Sequence, residues 1–230
     1  MNSSFKRYVA FLISSTLLGW SASFIDSFTV VNASPPALKV SNPDAIGQSN
    51  KKTILQRLSY FKYPIEVSFE LKGQPLSLTK AVLAEPGFRT EEFEGDRDWL
   101  KDLTIKIKNT SGKTITWMLV NLLFPDITKD GAIALHQIFL GVDPDAPFAR
   151  PELRLLPNQT LEIPLNGRYE ALKRLVNVIG SGTPIESVSK LEVEFHAAFF
   201  DDETRFQMGE MFRRNPDPND PQKWIRIKQE

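Results

Sequence analysis

The residues able to do chemistry near neutral pH are few: the 230-residue chain holds two histidines, His136 and His196, and no cysteine. The missing thiols exclude disulfides, thiolate metal sites and cysteine nucleophiles. Glu192, Glu194 and His196 alternate along one segment, so on a strand they share a face and could converge on a transition metal with a further ligand. The same spacing describes a solvated strand face, whose charges discourage edge-to-edge association, and that is the reading adopted. Asp126-x-Thr128-x-Asp130-Gly131 has the oxygen spacing that opens a calcium loop, but position twelve falls on Gln137, which offers no bidentate carboxylate. It therefore reads as a turn. Asp201, Asp202 and Glu203 place three negative charges together with Arg205, Arg213 and Arg214 close behind, as a solvated hairpin tip with counter-charges nearby. His136 lies within an apolar run, where a satisfied histidine is commoner than a base. No serine stands in a nucleophile elbow, and Gly180-Ser-Gly182 follows a helical pattern instead of opening one, so it stops a helix and cradles no phosphate. No catalytic, cofactor-binding or metal residue is assigned, and no enzyme is expected.

Aromatic residues offer a different chemistry. Trp99, Trp224, Tyr60 and Tyr63 could form a flat platform for stacking sugars, but edge packing and chain-end anchoring are the reading adopted; Trp117, inside an apolar run, is expected to be buried. Asn109-Thr-Ser111 and Asn158-Gln-Thr160 match the glycosylation acceptor pattern, which has meaning only in a eukaryotic secretory route. The 28 basic and 28 acidic residues balance, and no Lys/Arg run would grip a phosphate backbone, so nucleic acid is not an expected partner.

The elements that must position these residues are strands. Leu103, Ile105 and Ile107 alternate with Thr104, Lys106 and Lys108, and the apolar run from Ile115 to Phe124 reads as a strand covered on both faces. Between them Asn109 to Lys113 reads as a tight reversal, so the two arms are expected to form an antiparallel hairpin at the centre of the fold. Val67, Phe69 and Leu71 begin another hairpin that turns at Lys72-Gly73, and Thr53 to Phe61 fits a short helix or an edge strand. Glu85 to Asp98, with Pro86, two glycines and six acids, reads as a solvated connection, and Pro125 to Gly131 as a turn before a strand from Ala132 to Leu140. Pro164 places the short strand Leu161 to Leu165 at an edge. Tyr169 to Ile179 carries apolar residues at helical spacing, stopped by Gly180 and Gly182. A last hairpin pairs Lys190 to Phe200 with Thr204 to Phe212, with Leu191, Val193, Phe195, Ala197 and Phe199 facing inward. Trp224 to Ile227 is too apolar to trail in water and is expected to dock as a final strand.

About eight strands and one helix suit an all-β fold, an antiparallel two-sheet sandwich. The Lys-Asn-Thr-Ser-Gly-Lys turn at 108–113, then Phe124-Pro-Asp126 and the turn at Asp130-Gly131, resemble exported bacterial immunoglobulin-like modules of the FxLYD kind over residues 101–165. Phe124-Pro-Asp126 only approximates the aromatic-Tyr-Asp end of that pattern. The resemblance implies an immunoglobulin-like accessory or binding module and supplies no catalytic residues.

The N-terminus completes the expectation. Lys6 and Arg7, then an apolar run from Tyr8 to Leu18 and small residues, form a secretory signal at residues 1–33, cut after Ser23 or after Ala33, the latter preferred. The rival is an uncleaved anchor from Tyr8 to Val31, burdened by Asp26 and several serines. Residues 34–53 read as a linker and 54–228 as one sandwich domain. The expected function is an exported, non-enzymatic binding or structural module with a protein or glycan partner. A carbohydrate-binding module is the alternative, a hydrolase the further one, and membrane contact is expected only if the leader is retained.

Overall fold

Runs of alternating apolar residues separated by Gly, Pro and acidic turns make strands the dominant element, and the computed structural model describes residues 28–32, 51–57, 64–76, 79–80, 88–146, 150–217, 219–220 and 222–227. Fourteen strands occur among the described residues: β1 (Phe28–Asn32), β2 (Lys51–Arg57), β3 (Ile65–Leu71), β4 (Gln74–Leu76), β5 (Thr79–Lys80), β6 (Phe88–Glu94), β7 (Leu103–Asn109), β8 (Ile115–Lys129), β9 (Ala132–Gly141), β10 (Thr160–Pro164), β11 (Lys190–Phe200), β12 (Thr204–Gln207), β13 (Glu210–Arg214) and β14 (Trp224–Arg226). A four-residue α1 (Trp99–Asp102) precedes β7, and α2 (Tyr169–Ile179) follows β10 over the span that its periodicity predicts.

The strands form two sheets. The smaller runs β10-β7-β3-β4, all antiparallel, and the larger runs β1-β9-β8-β11-β12-β13-β14, with β2, β6 and β5 joined through β11. Their facing residues make one core: Val67, Phe69, Ile105 and Ile107 from the small sheet share it with Met118, Val120, Leu122, Phe195 and Phe206 from the large one. Leu172, Leu175 and Val176 of α2 are buried in the same core. The mostly β sandwich is thus present, but not antiparallel throughout, because β2 runs parallel to the first half of β11.

The central hairpin is corrected. β7 and β8 lie in different sheets, β7 between β10 and β3, β8 between β9 and β11, and the chain between them arches from one sheet to the other. Asn109 drives this. Its fully buried amide nitrogen donates to the carbonyls of Lys113 (2.8 Å) and Leu155 (2.9 Å), while its Oδ1 accepts from the Ser111 amide (3.0 Å) and hydroxyl (2.6 Å). A side chain that satisfies the backbone of the turn and of a third segment replaces the ladder that a hairpin would have made.

A second correction concerns β11. The pairing with β8 slips between Phe195 and Ala197, leaving His196 as a bulge; Phe195 opposes Val120 and Ala197 opposes Leu119. One extra residue exchanges the faces of everything beyond it. Leu191, Val193 and Phe195 face the core as expected, but Ala197 and Phe199 fall on the opposite side of the sheet, with Trp117 and Leu119. The sheet also forks there: β2 pairs with Lys190–Glu194 and β12 with Ala197–Phe199.

Other boundaries shift. Glu85 to Asp98 contains β6, which pairs along all of β2, so Thr53 and its neighbours form a strand between two others and neither a helix nor an edge. β8 runs on through Pro125 to Lys129, leaving Asp130-Gly131 (φ 51° and 80°) as a two-residue hairpin turn. The arm expected from Thr204 to Phe212 folds on itself as β12 and β13 about Met208-Gly209. The second arm of the hairpin that turns at Lys72-Gly73 is the short β4, paired with β3 in the small sheet, and β5 pairs instead with β6 in the large one.

Candidate functional site

The bulge at His196 gives the large sheet an outer face of two unlike halves. Beyond the bulge, Trp117, Leu119, Ala197 and Phe199 are buried together with Phe139 and Trp224 packed on them, a second apolar cluster separate from the core. Trp117 stands edge-on to Phe199 (centroids 5.3 Å apart) and Phe199 lies 5.3 Å from Trp224. Before the bulge the face is polar. Gln137, Asn121 and Glu194 sit opposite one another on β9, β8 and β11; Gln137 donates to Asn121 Oδ1 (3.3 Å), and Asn121 donates to Glu194 Oε2 (2.7 Å).

Arginines cover the apolar half. Arg205 sits across from Phe199 in the ladder, its guanidinium 5.1 Å from the Phe199 ring and 5.7 Å from that of Trp224, and Arg214, across from Trp224, lies 5.6 Å from the same indole. Asp145 ties the three together: it accepts from the Trp224 indole N–H at 3.0 Å and stands 3.7 Å from Arg205 and 3.6 Å from Arg214. Burial holds the Arg205 pKa below its usual range, with Asp145 and Asp143 pulling it back up. Arg150 covers Phe139 at 4.3 Å.

Beside this ladder runs a groove in two joined parts. One, about 270 Å³, is lined by Pro144, Phe199, Arg214 and Trp224; the other, about 470 Å³, by Thr114, Glu152, Leu153 and Arg154; Thr116, Val142 and Asp201 belong to both. Gly141 (φ 82°) lets the floor close up, since a Cβ there would lie 2.2 Å from the Thr116 carbonyl oxygen. Asp201 is fixed by the Thr114 amide at 3.2 Å. The groove thus combines an aromatic wall, two hydroxyls, carboxylates and arginines, a donor and acceptor set suited to holding a polar ligand.

The residues singled out in the sequence fall as follows. Trp99 is 1% exposed, packs on Phe93 and donates its indole N–H to the Val188 carbonyl at 3.0 Å, so it is core and offers no stacking face. Trp117 is buried as expected, though on the outer cluster. Tyr60 and Tyr63 lie outside the described residues. His136 is fully buried on a strand that also buries Ala134 and Ile138. Asp126 accepts from the Ser189 amide (3.1 Å) and hydroxyl (2.5 Å), and the pairing of β8 with β9 slips between Phe124 and Thr128, so the calcium-like spacing is a bulged strand end. Glu194 and His196 meet at 3.5 Å, and among the described residues no group of three His, Asp or Glu side chains is placed to hold a metal. Asp202 accepts from Thr204 and pairs with Lys113 at 2.6 Å, and Glu203 takes a positive φ of 61° at the turn. Asn109 is 0% exposed, which removes it as a glycosylation acceptor in the folded chain. Asp145, Arg154 and Thr116 are not singled out by the sequence because no motif links them.

No protein-family model, curated protein or solved structure matches the chain.

Proposed function

We propose that this chain is an exported, non-catalytic binding module of immunoglobulin-like build that takes its ligand along the groove between the Arg205–Trp224 ladder and residues 142–144 and 152–154. The observation that carries the reading is the groove itself: Trp224 and Arg214 wall one end, Glu152 and Arg154 the other, and Asp201 and Thr116 are common to both parts. Asp201, held by the Thr114 amide, and Arg214, beside Asp145, are positioned by neighbours, which lowers the ordering cost of binding there. The immunoglobulin-like part of the proposal is supported by two sheets about one core and by an arch that carries the chain between them at residues 110–114. A partner presenting both polar and apolar groups, such as an extended peptide or a glycan, fits this lining.

The test is a titration followed by tryptophan fluorescence, with soluble oligosaccharides and short extended peptides as separate panels. Saturable change in one panel, lost in Arg214→Ala and in Thr116→Arg, is the expected result. A carbohydrate-binding module would respond in the first panel, a protein-binding one in the second. No response in either, or turnover of a panel member that disappears in His196→Ala, overturns the proposal.

A further inference from the structure

We infer that the leader is cut between Ser23 and Phe24, so that Phe28–Asn32 stays with the mature chain as the edge strand β1. This deepens the export reading and rests on it. Two independent observations carry it. The first is structural: Phe28 to Asn32 pair antiparallel with His136 to Ala132 of β9, residue for residue. A cut after Ala33 would discard that strand and bare the backbone groups of a long strand, β9, whose Ala132, Ala134 and His136 are buried. An exposed hydrophobic strand edge invites pairing with other chains. The segment Phe-Thr-Val-Val-Asn suits a strand, being rich in β-branched and aromatic residues.

The second observation is the arithmetic of the leader. Secretory leaders run to roughly 15–30 residues, with an apolar stretch of roughly 7–15 and small residues at the first and third positions before the cut. A cut after Ser23 follows the apolar run Tyr8–Leu18 closely, with Ser21 and Ser23 at those two positions. A cut after Ala33 sets the branched Val31 at the third position and leaves Asp26 inside the leader, far behind the apolar run. The anchor reading meets the same obstacle, because Phe28 to Val31 cannot lie in a bilayer and in the ladder with β9 together.

The step is hydrolysis of one peptide bond by an endoprotease of the export route that reads small residues. Water adds across the Ser23–Phe24 amide, leaving a carboxylate on Ser23 and a new α-ammonium on Phe24, with no change of oxidation state. The test is the intact mass of the full-length gene product recovered from an exporting host, beside Ser23→Arg and Ala33→Arg. The expected product begins at Phe24, is unchanged in Ala33→Arg and is replaced by uncut chain in Ser23→Arg. A product beginning at Ser34, or a block in Ala33→Arg alone, overturns the cut position while leaving export intact. Unprocessed chain that never leaves the cytosol overturns the export reading as well.

Discussion

At the scale of single residues, Arg205 joins two rings and a carboxylate on the outer face. Its guanidinium lies against Phe199 and Trp224, its side chain is 20% exposed, and Asp145 is the carboxylate beside it. Arg205→Ala should lower the unfolding free energy by about 1–3 kcal/mol in urea titrations, through lost ring contacts as well as lost charge. Arg205→Lys should recover little of it, because a compact ammonium cannot stack as a planar guanidinium does. Asp202 makes a pH-dependent contribution. Burial pushes its pKa up, but the Lys113 ammonium and the Thr204 hydroxyl and amide together hold it below the ordinary 3.8. A depressed carboxyl stabilises the fold above its unfolded pKa and loses that contribution as pH falls through the folded one. Asp202→Asn should therefore reduce stability at pH 7 and flatten its fall below about pH 4, as read by thermal melts across the acid range. None of this pairing was legible in the sequence beyond the proximity of opposite charges at 201–214. Asp145 and Trp224 are far apart along the chain, and only the docking of β14 on β13 brings the indole over Phe199.

At the scale of elements, the arch and the bulge decide the architecture. The sequence reads Leu103–Lys108 and Ile115–Phe124 correctly as strands, since alternation depends only on local backbone geometry. It cannot say that they belong to different sheets, because the bond that settles the matter runs from the Asn109 amide to the carbonyl of Leu155, forty-six positions away. Asn109→Ala should cost about 2–4 kcal/mol in equilibrium unfolding, leaving buried carbonyls without their donor. Helix α2 is legible: Tyr169, Leu172, Leu175 and Val176 form its buried stripe, and Gly180 and Gly182 end it by donating backbone hydrogen bonds to the carbonyls of Val176 and Asn177. The small sheet shows charge used across strands: Lys106 bridges Glu70 (2.5 Å) and Glu162 (3.0 Å) from the two neighbouring strands, which raises its pKa. Such partly exposed pairs contribute little individually and mostly fix register.

At the scale of the whole molecule, the two sheets and α2 share one core, so β7 and β8 should exchange slowly even though they do not pair with each other. The amides of Ile105 and Ile107 in β7 and of Leu119 and Leu122 in β8 should be among the slowest in native-state hydrogen exchange. Fast exchange confined to one set would mean that the sheets open independently. Trp224 to Ile227 docks as the sequence suggests: Trp224 packs on Phe199, and the Ile227 amide donates to Met211 at 2.8 Å. By itself the sequence determined the periodic elements, the helix and its stop, the edge position of Pro164 and the chemistry closed to a chain without cysteine. Each follows from neighbours within a few residues. Only the tertiary structure decided which sheet receives each strand, which side of the sheet Ala197 and Phe199 occupy after the His196 bulge, and that Asp145, Arg205, Arg214 and Trp224 meet beside a groove. Those outcomes depend on register and on bonds between distant segments, where a slip of one residue exchanges every face and leaves the local pattern unchanged.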